Sequence, residues 1–167
     1  SHGVDRRIDI FAVAIRAGLT VFDLQELELA YAPPYGSGKD AVNMAGFAAS
    51  NILEGTMEVV HWNQLDEADY ILDARSAGEF KRGNVPSSVN IPVDEIRNRL
   101  NELPQDTTIN VYCTVGIRSY IACRILMQNG FIAKNISGGF ITYRSYQNKE
   151  VLDHPTARQL RDEFCFV

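Results

Sequence analysis

From residue 56 onward, short runs of apolar residues alternate with stretches whose apolar positions recur every three or four residues. Short β-branched and aromatic runs are typical of strands, and the three-to-four spacing is typical of helices with one buried face. Strands that alternate with helices favour an α/β fold, here a small doubly wound parallel sheet of five strands with helices on both faces. The predicted strands are 57–60, 70–73, 88–91, 108–112 and 134–136, and the predicted helices are 77–81, 93–103, 119–129 and 140–147.

The first 55 residues follow a different pattern and do not resemble a complete domain. Residues 4–17 are apolar without a clear period, and residues 21–27 predict a short helix or turn. After a proline-rich stretch at 31–38, Asp40 is placed to cap a helix of small residues. Because so short a segment makes a poor independent core, we interpret it as part of a larger domain. The predicted domains are 1–55, 56–150 and a C-terminal helical tail at 151–167.

Composition and charge narrow the function classes. The chain is 46% hydrophobic with a formal net charge of −5, so it has neither a basic footprint for nucleic acid nor a polybasic patch for a membrane surface. No apolar run approaches the roughly 18 residues that span a bilayer. Three widely spaced cysteines do not form a disulfide framework, and no metal-ligand spacing appears. We expect a cytoplasmic protein with no metal, nucleic-acid or membrane partner.

The strongest candidate chemistry lies in residues 113–118, where a cysteine ends a predicted strand and a predicted helix follows. Backbone N–H groups and the positive end of a helix dipole converge at such a turn, which binds anions and lowers a thiol pKa. Gly116 lets the backbone turn its N–H groups inward, and Arg118 adds a permanent charge. We expect Cys113 to be the nucleophile, surrounded by an anion-binding loop of Thr114, Val115, Gly116, Ile117, Arg118 and Ser119. Ser119 is also expected to cap the helix.

Two further residues end the strand at 70–73, at the same predicted sheet edge as Cys113. Asp73 and Arg75 form either an ordinary surface ion pair or a support for the site. In the second interpretation Asp73 orients an arginine, or Arg75 structures the floor of the site. Cys123 lies inside a predicted helix and is expected to pack in the core.

Four segments carry a resemblance to a known family: 70–75, 79–92, 113–119 and 137–140. Through these segments, residues 57–147 resemble a rhodanese domain, the fold of cysteine sulfurtransferases. The resemblance implies that Cys113 carries a persulfide cradled by the loop amides and Arg118. In this superfamily, a six-residue loop from cysteine to arginine accompanies sulfur transfer, and a loop one residue longer accompanies phosphatases. The loop here has six. Thr114 stands where many sulfurtransferases carry arginine or another long polar residue, which weakens the argument for an anionic donor such as thiosulfate.

The segments 3–9, 27–35 and 39–46 carry a second resemblance, to the end of the dimerisation domain of FAD-dependent pyridine nucleotide–disulfide oxidoreductases. The order of the two parts is similar to that of fused coenzyme A disulfide reductase–rhodanese proteins. Residues 1–55 would then be an incomplete α+β segment of the reductase. The resemblance implies FAD and NAD(P)H for a full-length protein, a homodimer, and a substrate contact by Tyr31. This fragment contains no GxGxxG fingerprint and is expected to bind no cofactor.

Three function hypotheses follow from these residues and resemblances. In the first, the domain is a sulfurtransferase that moves sulfane sulfur from a small donor to a thiol, such as one derived from coenzyme A, or to the flavin reductase half. In the second, it is a sulfur carrier or dimerisation module with little turnover of its own. The third, a phosphatase of similar fold, is disfavoured by the loop length.

Overall fold

The computed structural model of the protein describes residues 3–31, 38–66 and 68–147. The chain divides into two compact units, the first ending at Met57 and the second beginning at Glu58. The helical tail predicted at 151–167 lies outside the described residues, as does most of the proline-rich stretch.

The second unit is built on a five-stranded parallel sheet. The order across the sheet is β1-β5-β4-β2-β3, and every neighbouring pair is parallel. All four residues of β4 are buried, and because side chains alternate along a strand, both faces of the sheet are covered there. The predicted α/β fold is confirmed. The strands are β1 (Glu58–Val60), β2 (Tyr70–Asp73), β3 (Val89–Asn90), β4 (Ile109–Tyr112) and β5 (Ala133–Ile136).

Helices follow three of these strands. They are α4 (Ala77–Lys81) after β2, α5 (Ile117–Gln128) after β4 and α6 (Gly139–Gln147) after β5. Helix α5 packs on β4 and β5 and buries Cys123 in the core, as predicted. An aromatic cluster forms where Tyr112 of β4 meets Trp62, Phe140 and Tyr143.

The prediction of a helix at 93–103 is wrong. This segment forms two short 3-10 turns, Ile96–Asn98 and Leu100–Glu102, separated by Arg99 at φ −125° and ψ 20°. Pro104 disfavours helical values at the residue before it, and Leu103 is accordingly extended. The asparagines of the segment are also poor helix formers, so apolar spacing alone does not sustain a helix.

The first unit carries three helices, α1 (Val4–Ala17), α2 (Val21–Glu26) and α3 (Ala41–Leu53). The described residues up to Met57 contain these helices and no strand, so they show only the helical part of the expected α+β segment. Asp40 caps α3 as predicted, because its carboxylate accepts from the Val42 amide at 3.1 Å. In the described part of the chain, no helix is long and apolar enough to cross a membrane.

A buried asparagine joins α2 to α3. The Asn43 Nδ2 group donates to the carbonyl oxygens of Leu24 and Leu27, both at 3.0 Å, where α2 ends. Carbonyls at a helix end have no partner within the helix, so a side chain from α3 satisfies them. The exposed fraction of Asn43 is only 2%, which makes these bonds costly to lose.

We expect Asn43→Ala to lower the free energy of unfolding of the first unit by about 1–3 kcal/mol, because it leaves buried carbonyls without donors. Hydrogen–deuterium exchange over α2 and α3 in the whole chain measures this loss. Asn101→Ala, at an exposed position of the second unit, is the matched control. Equal protection of the helices in both variants would contradict the prediction.

Candidate active site

Cys113 directly follows β4 and lies below the first turn of α5. Its exposed fraction is 1%. The Gly116 N–H donates to Cys113 Sγ at 3.1 Å, and Ser119 Oγ lies 3.5 Å from the same sulfur. Gly116 has φ +141°, a value that side-chain-bearing residues rarely adopt, and this conformation lets the loop turn back toward the sulfur. The structure therefore places the sulfur where amide dipoles converge.

The pKa of the Cys113 thiol lies below its ordinary value. Burial by itself raises this pKa, because desolvation disfavours the thiolate. The amides of Ser119, Gly116 and Val115, together with the Ser119 hydroxyl whose single proton the sulfur shares with two nearby oxygens, outweigh burial. At Cys123, burial is instead the dominant effect and raises the pKa to about 12. The two environments thus move the pKa values of the two cysteines in opposite directions, down at Cys113 and up at Cys123.

Ser119 does not cap α5, so that prediction is wrong. The helix begins at Ile117, its N-cap position is Gly116, and no side chain caps it. Ser119 lies inside the first turn, where its hydroxyl is 2.7 Å from Asn135 Oδ1 and 2.9 Å from the Gly116 carbonyl. The reason is that Gly116 ends the loop earlier than expected, which leaves the first amides of the helix for the sulfur. Asn135, on β5, is a neighbour of the site that sequence reasoning did not identify.

Helix α6 fastens the loop from the other side. The Phe140 N–H donates to the Cys113 carbonyl at 2.8 Å, and the Ile141 N–H donates to the Thr114 carbonyl at 3.2 Å. Gly139 has φ +55°, and a Cβ there would lie 2.5 Å from the Cys113 carbonyl oxygen. With the loop carbonyls held by α6, the loop amides remain directed at the sulfur. This contact explains why the segment 137–140 belongs to the site.

Asp73 and Arg75 form a buried ion pair that supports α6. Arg75 Nε lies 3.0 Å from both carboxylate oxygens of Asp73, and Arg75 Nη2 lies 2.6 Å from Asp73 Oδ2. The Arg75 guanidinium stacks on the Phe140 ring, 4.0 Å from its centroid, and donates to the Gly83 carbonyl. The pair therefore acts on the site through Phe140, whose amide binds the Cys113 carbonyl.

A second ion pair lies at the mouth of the site and engages Arg118. Its Nη1 donates to Glu79 Oε2 at 2.7 Å, and its Nη2 donates to Glu79 Oε1 at 2.8 Å and to Thr114 Oγ1 at 2.7 Å. Hydrogen bonds to Glu79, and to a lesser extent the nearby Cys113 sulfur, raise the pKa of the Arg118 guanidinium. That Arg118 faces a bound persulfide stays a prediction. The Arg118 hydrogen bonds hold the pKa of the Glu79 carboxyl well below its usual range.

Sequence reasoning missed the role of Glu79 at the site. The pattern Ser76-x-x-Glu79 is a capping box, and the structure contains that box at the start of α4. A capping role fully accounts for a glutamate at this position. Its second role depends on a contact with Arg118, 39 residues away in the chain, which the pattern does not show.

The remaining predicted site residues are exposed, two of them on the cysteine loop and one in the first unit. Val115 and Ile117 are exposed on the loop, at 55% and 66%. Tyr31 is exposed in the first unit, beside residues outside the described part, and its substrate contact stays a prediction. Within the three described ranges, no group of three potential metal ligands comes together.

Comparison with known proteins identifies the second unit. A family model described as a rhodanese-like domain matches residues 59–145. The chain belongs to the rhodanese family. A sulfurtransferase from Allochromatium vinosum is 38% identical to the rhodanese chain over 80 residues, which are 47% of this chain and 75% of that protein.

Two solved structures match more than the rhodanese unit. Reduced CoADR-RHD from Bacillus anthracis is 50% identical with a TM-score of 0.81, and the match covers 84% of this chain. An NAD-dependent persulfide reductase from A. fulgidus is 41% identical with a TM-score of 0.74, and the match covers 81%. The chain spans only 26% and 25% of these two proteins. The predicted resemblance to coenzyme A disulfide reductase–rhodanese fusions is confirmed.

Replacing Ser119 with alanine should raise the pKa of the Cys113 thiol, because a side-chain donor to the thiolate is lost. Alkylation by iodoacetamide follows the thiolate fraction, so its rate at neutral pH should fall several-fold and its pH midpoint should move upward. Peptide mapping assigns the alkylated site. Ser145→Ala, on an exposed face of α6, should leave the midpoint in place. An unchanged midpoint in Ser119→Ala would refute the assigned role.

Gly139→Ala should displace the Cys113 loop, because the added Cβ meets the Cys113 carbonyl at 2.5 Å. A displacement of the loop by about 1 Å is expected to slow the reaction of Cys113 with a disulfide reagent by about 100-fold. The control is Gly78→Ala in α4, where a Cβ meets nothing within 4 Å. Equal rates in the two variants would show that α6 does not position the loop.

Proposed function

We propose that the rhodanese unit is a sulfurtransferase that carries sulfane sulfur as a persulfide on Cys113. The observation that supports this most is the buried Cys113 Sγ at the N-terminus of α5, 3.1 Å from the Gly116 amide. Such a site stabilises a sulfur-centred anion through backbone N–H donors. Similarity to a sulfurtransferase supports the same activity.

The first half-reaction loads the cysteine. The Cys113 thiolate attacks the outer sulfur of a donor persulfide, R–S–SH, so that an Sγ–S bond forms and the donor S–S bond breaks. The donor thiolate leaves with the bonding electron pair and takes the proton, giving R–SH. Cys113 is left as the persulfide anion Cys113–S–S⁻, which loop amides such as that of Gly116 are placed to stabilise.

The second half-reaction unloads the sulfur. An acceptor thiolate attacks the outer sulfur of Cys113–S–S⁻, the Sγ–S bond breaks, and Cys113 leaves as the thiolate. The lowered pKa of Cys113 assists this step, because a more acidic thiol is a better leaving group. The cysteine is restored without net oxidation or reduction.

We further propose that the sulfur passes to an NAD(P)H-dependent flavin reductase within a longer, dimeric cytoplasmic protein. Similarity to CoADR-RHD and to an NAD-dependent persulfide reductase supports this proposal. The described residues do not fit the cofactors of such a reductase. No strand of the described sheet is followed by the GxGxxG turn that holds a dinucleotide pyrophosphate. No reaction step is therefore derived through FAD or NAD(P)H.

The phosphatase alternative is weaker. A phosphate ester favours a cation at the cysteine loop, and the charge of Arg118 is offset there by Glu79. The loop also keeps the six residues that accompany sulfur transfer in this superfamily.

Cys113→Ser should abolish sulfur transfer from an organic persulfide to a thiol, because no sulfur nucleophile remains at the site. Intact-mass measurement should show a gain of about 32 Da on the loaded wild type and none on the variant. Cys123→Ala should load normally, since Cys123 is buried and stays a thiol. Near wild-type transfer by Cys113→Ser would overturn the proposal. Stoichiometric loading without turnover would favour the carrier hypothesis over an enzyme.

A further inference from the structure

We propose that Glu79 determines donor specificity by holding Arg118 in a two-point ion pair, so that the unit selects persulfides of low charge over dianionic thiosulfate. This inference rests on the proposed sulfur transfer at Cys113 and names the substrate class of that site. It concerns a residue of α4, outside the cysteine loop, whose carboxylate reaches Thr114 of the loop and Arg118 of α5.

The contacts of Glu79 exceed what helix capping requires. Oε2 serves the cap by accepting from the Ser76 amide and hydroxyl, at 3.1 and 2.9 Å. Oε1 is directed at the site, where it accepts from Thr114 Oγ1 at 3.0 Å and from Arg118 Nη2 at 2.8 Å. The carboxylate therefore joins three elements, α4, the cysteine loop and α5.

The ion pair sets the charge at the mouth of the site. Arg118 is the one charged side chain within residues 113–118, and its neighbours Val115 and Ile117 are apolar and exposed. The Glu79 carboxylate compensates the Arg118 charge within hydrogen-bonding distance. An approaching donor thus meets a nearly neutral, partly apolar rim, with attraction coming mainly from the buried amides.

Thiosulfate and an organic persulfide place different demands on this rim. With thiosulfate, the Cys113 thiolate attacks the outer sulfur, the S–S bond breaks, and sulfite leaves as a dianion with the bonding pair. With an organic persulfide the leaving thiolate carries one charge and takes up a proton. The first reaction gains more from a cation beside the leaving group, and the Glu79 carboxylate offsets the charge that Arg118 offers there.

The variant Glu79→Gln removes the negative charge of Glu79 but keeps the helix cap. Glutamine also serves at this position of a capping box, so α4 keeps its start. Its amide oxygen still accepts one Arg118 N–H, but the negative charge is gone and Arg118 becomes available to an anion. The double variant Glu79→Gln/Arg118→Gln removes the cation as well. Glu102→Gln is the control, because Glu102 pairs with Arg99 on an exposed turn.

The experiment measures Cys113 loading from thiosulfate and from 2-hydroxyethyl persulfide, by quenched intact mass, at low and high salt. In Glu79→Gln the ratio of kcat/KM for thiosulfate to that for the persulfide should rise about tenfold at low salt, as expected for one uncompensated charge beside a dianion. The rise should come mostly from KM and shrink in high salt, because salt screens exposed charges. It should be absent from Glu102→Gln and from the double variant.

The outcomes separate this inference from the proposed function. If the wild type loads from neither donor, sulfur transfer itself fails. If the wild type loads from the persulfide and Glu79→Gln leaves the donor ratio unchanged, the specificity role is refuted and sulfur transfer stands. Equal slowing with both donors, at either salt concentration, would assign Glu79 a structural role only and refute the inference.

Discussion

The direction of the backbone amides around Cys113 Sγ is the constraint on which the rest of the site depends. The Cys113 residue is only 1% exposed, and burial alone would raise the pKa of its thiol. The loop and the first turn of α5 replace the lost water with N–H donors. This arrangement holds only while the loop carbonyls point elsewhere, and α6 ensures it by donating two amides to them.

The supporting contacts form two layers with different chemistry. Behind the loop, the buried pair of Asp73 and Arg75 fixes the Phe140 ring and thereby the first turn of α6. A buried pair of this kind costs desolvation and is useful chiefly where a geometry must be specified. In front of the loop, the partly exposed pair of Glu79 and Arg118 sets the local charge instead. One pair therefore shapes the site, and the other adjusts what approaches it.

Sulfur transfer needs little more than this geometry. Each half-reaction exchanges one S–S bond for another between thiolates, so the chain has to supply ionisation, stabilisation of an anion and access. Cys113 and the surrounding amides provide ionisation and stabilisation of the anion. The exposed apolar residues Val115 and Ile117 lie where a donor would approach. Cys123 has the same side chain but a raised pKa. The two cysteines therefore differ through their surroundings, because only Cys113 lies before a helix N-terminus.

The sequence by itself determined the alternation of strands and helices, the place of Cys113 at the end of β4 and the turn at Gly116, because these follow from local periodicity and backbone preference. It misplaced the cap of α5 and predicted a helix at 93–103, where single residues such as Pro104 outweigh apolar spacing. Only the tertiary structure decided the partners of Arg118, the role of Phe140 and the approach of Asn135 to Ser119. Those contacts join residues far apart in the chain, and local physical preferences do not encode which distant side chains meet.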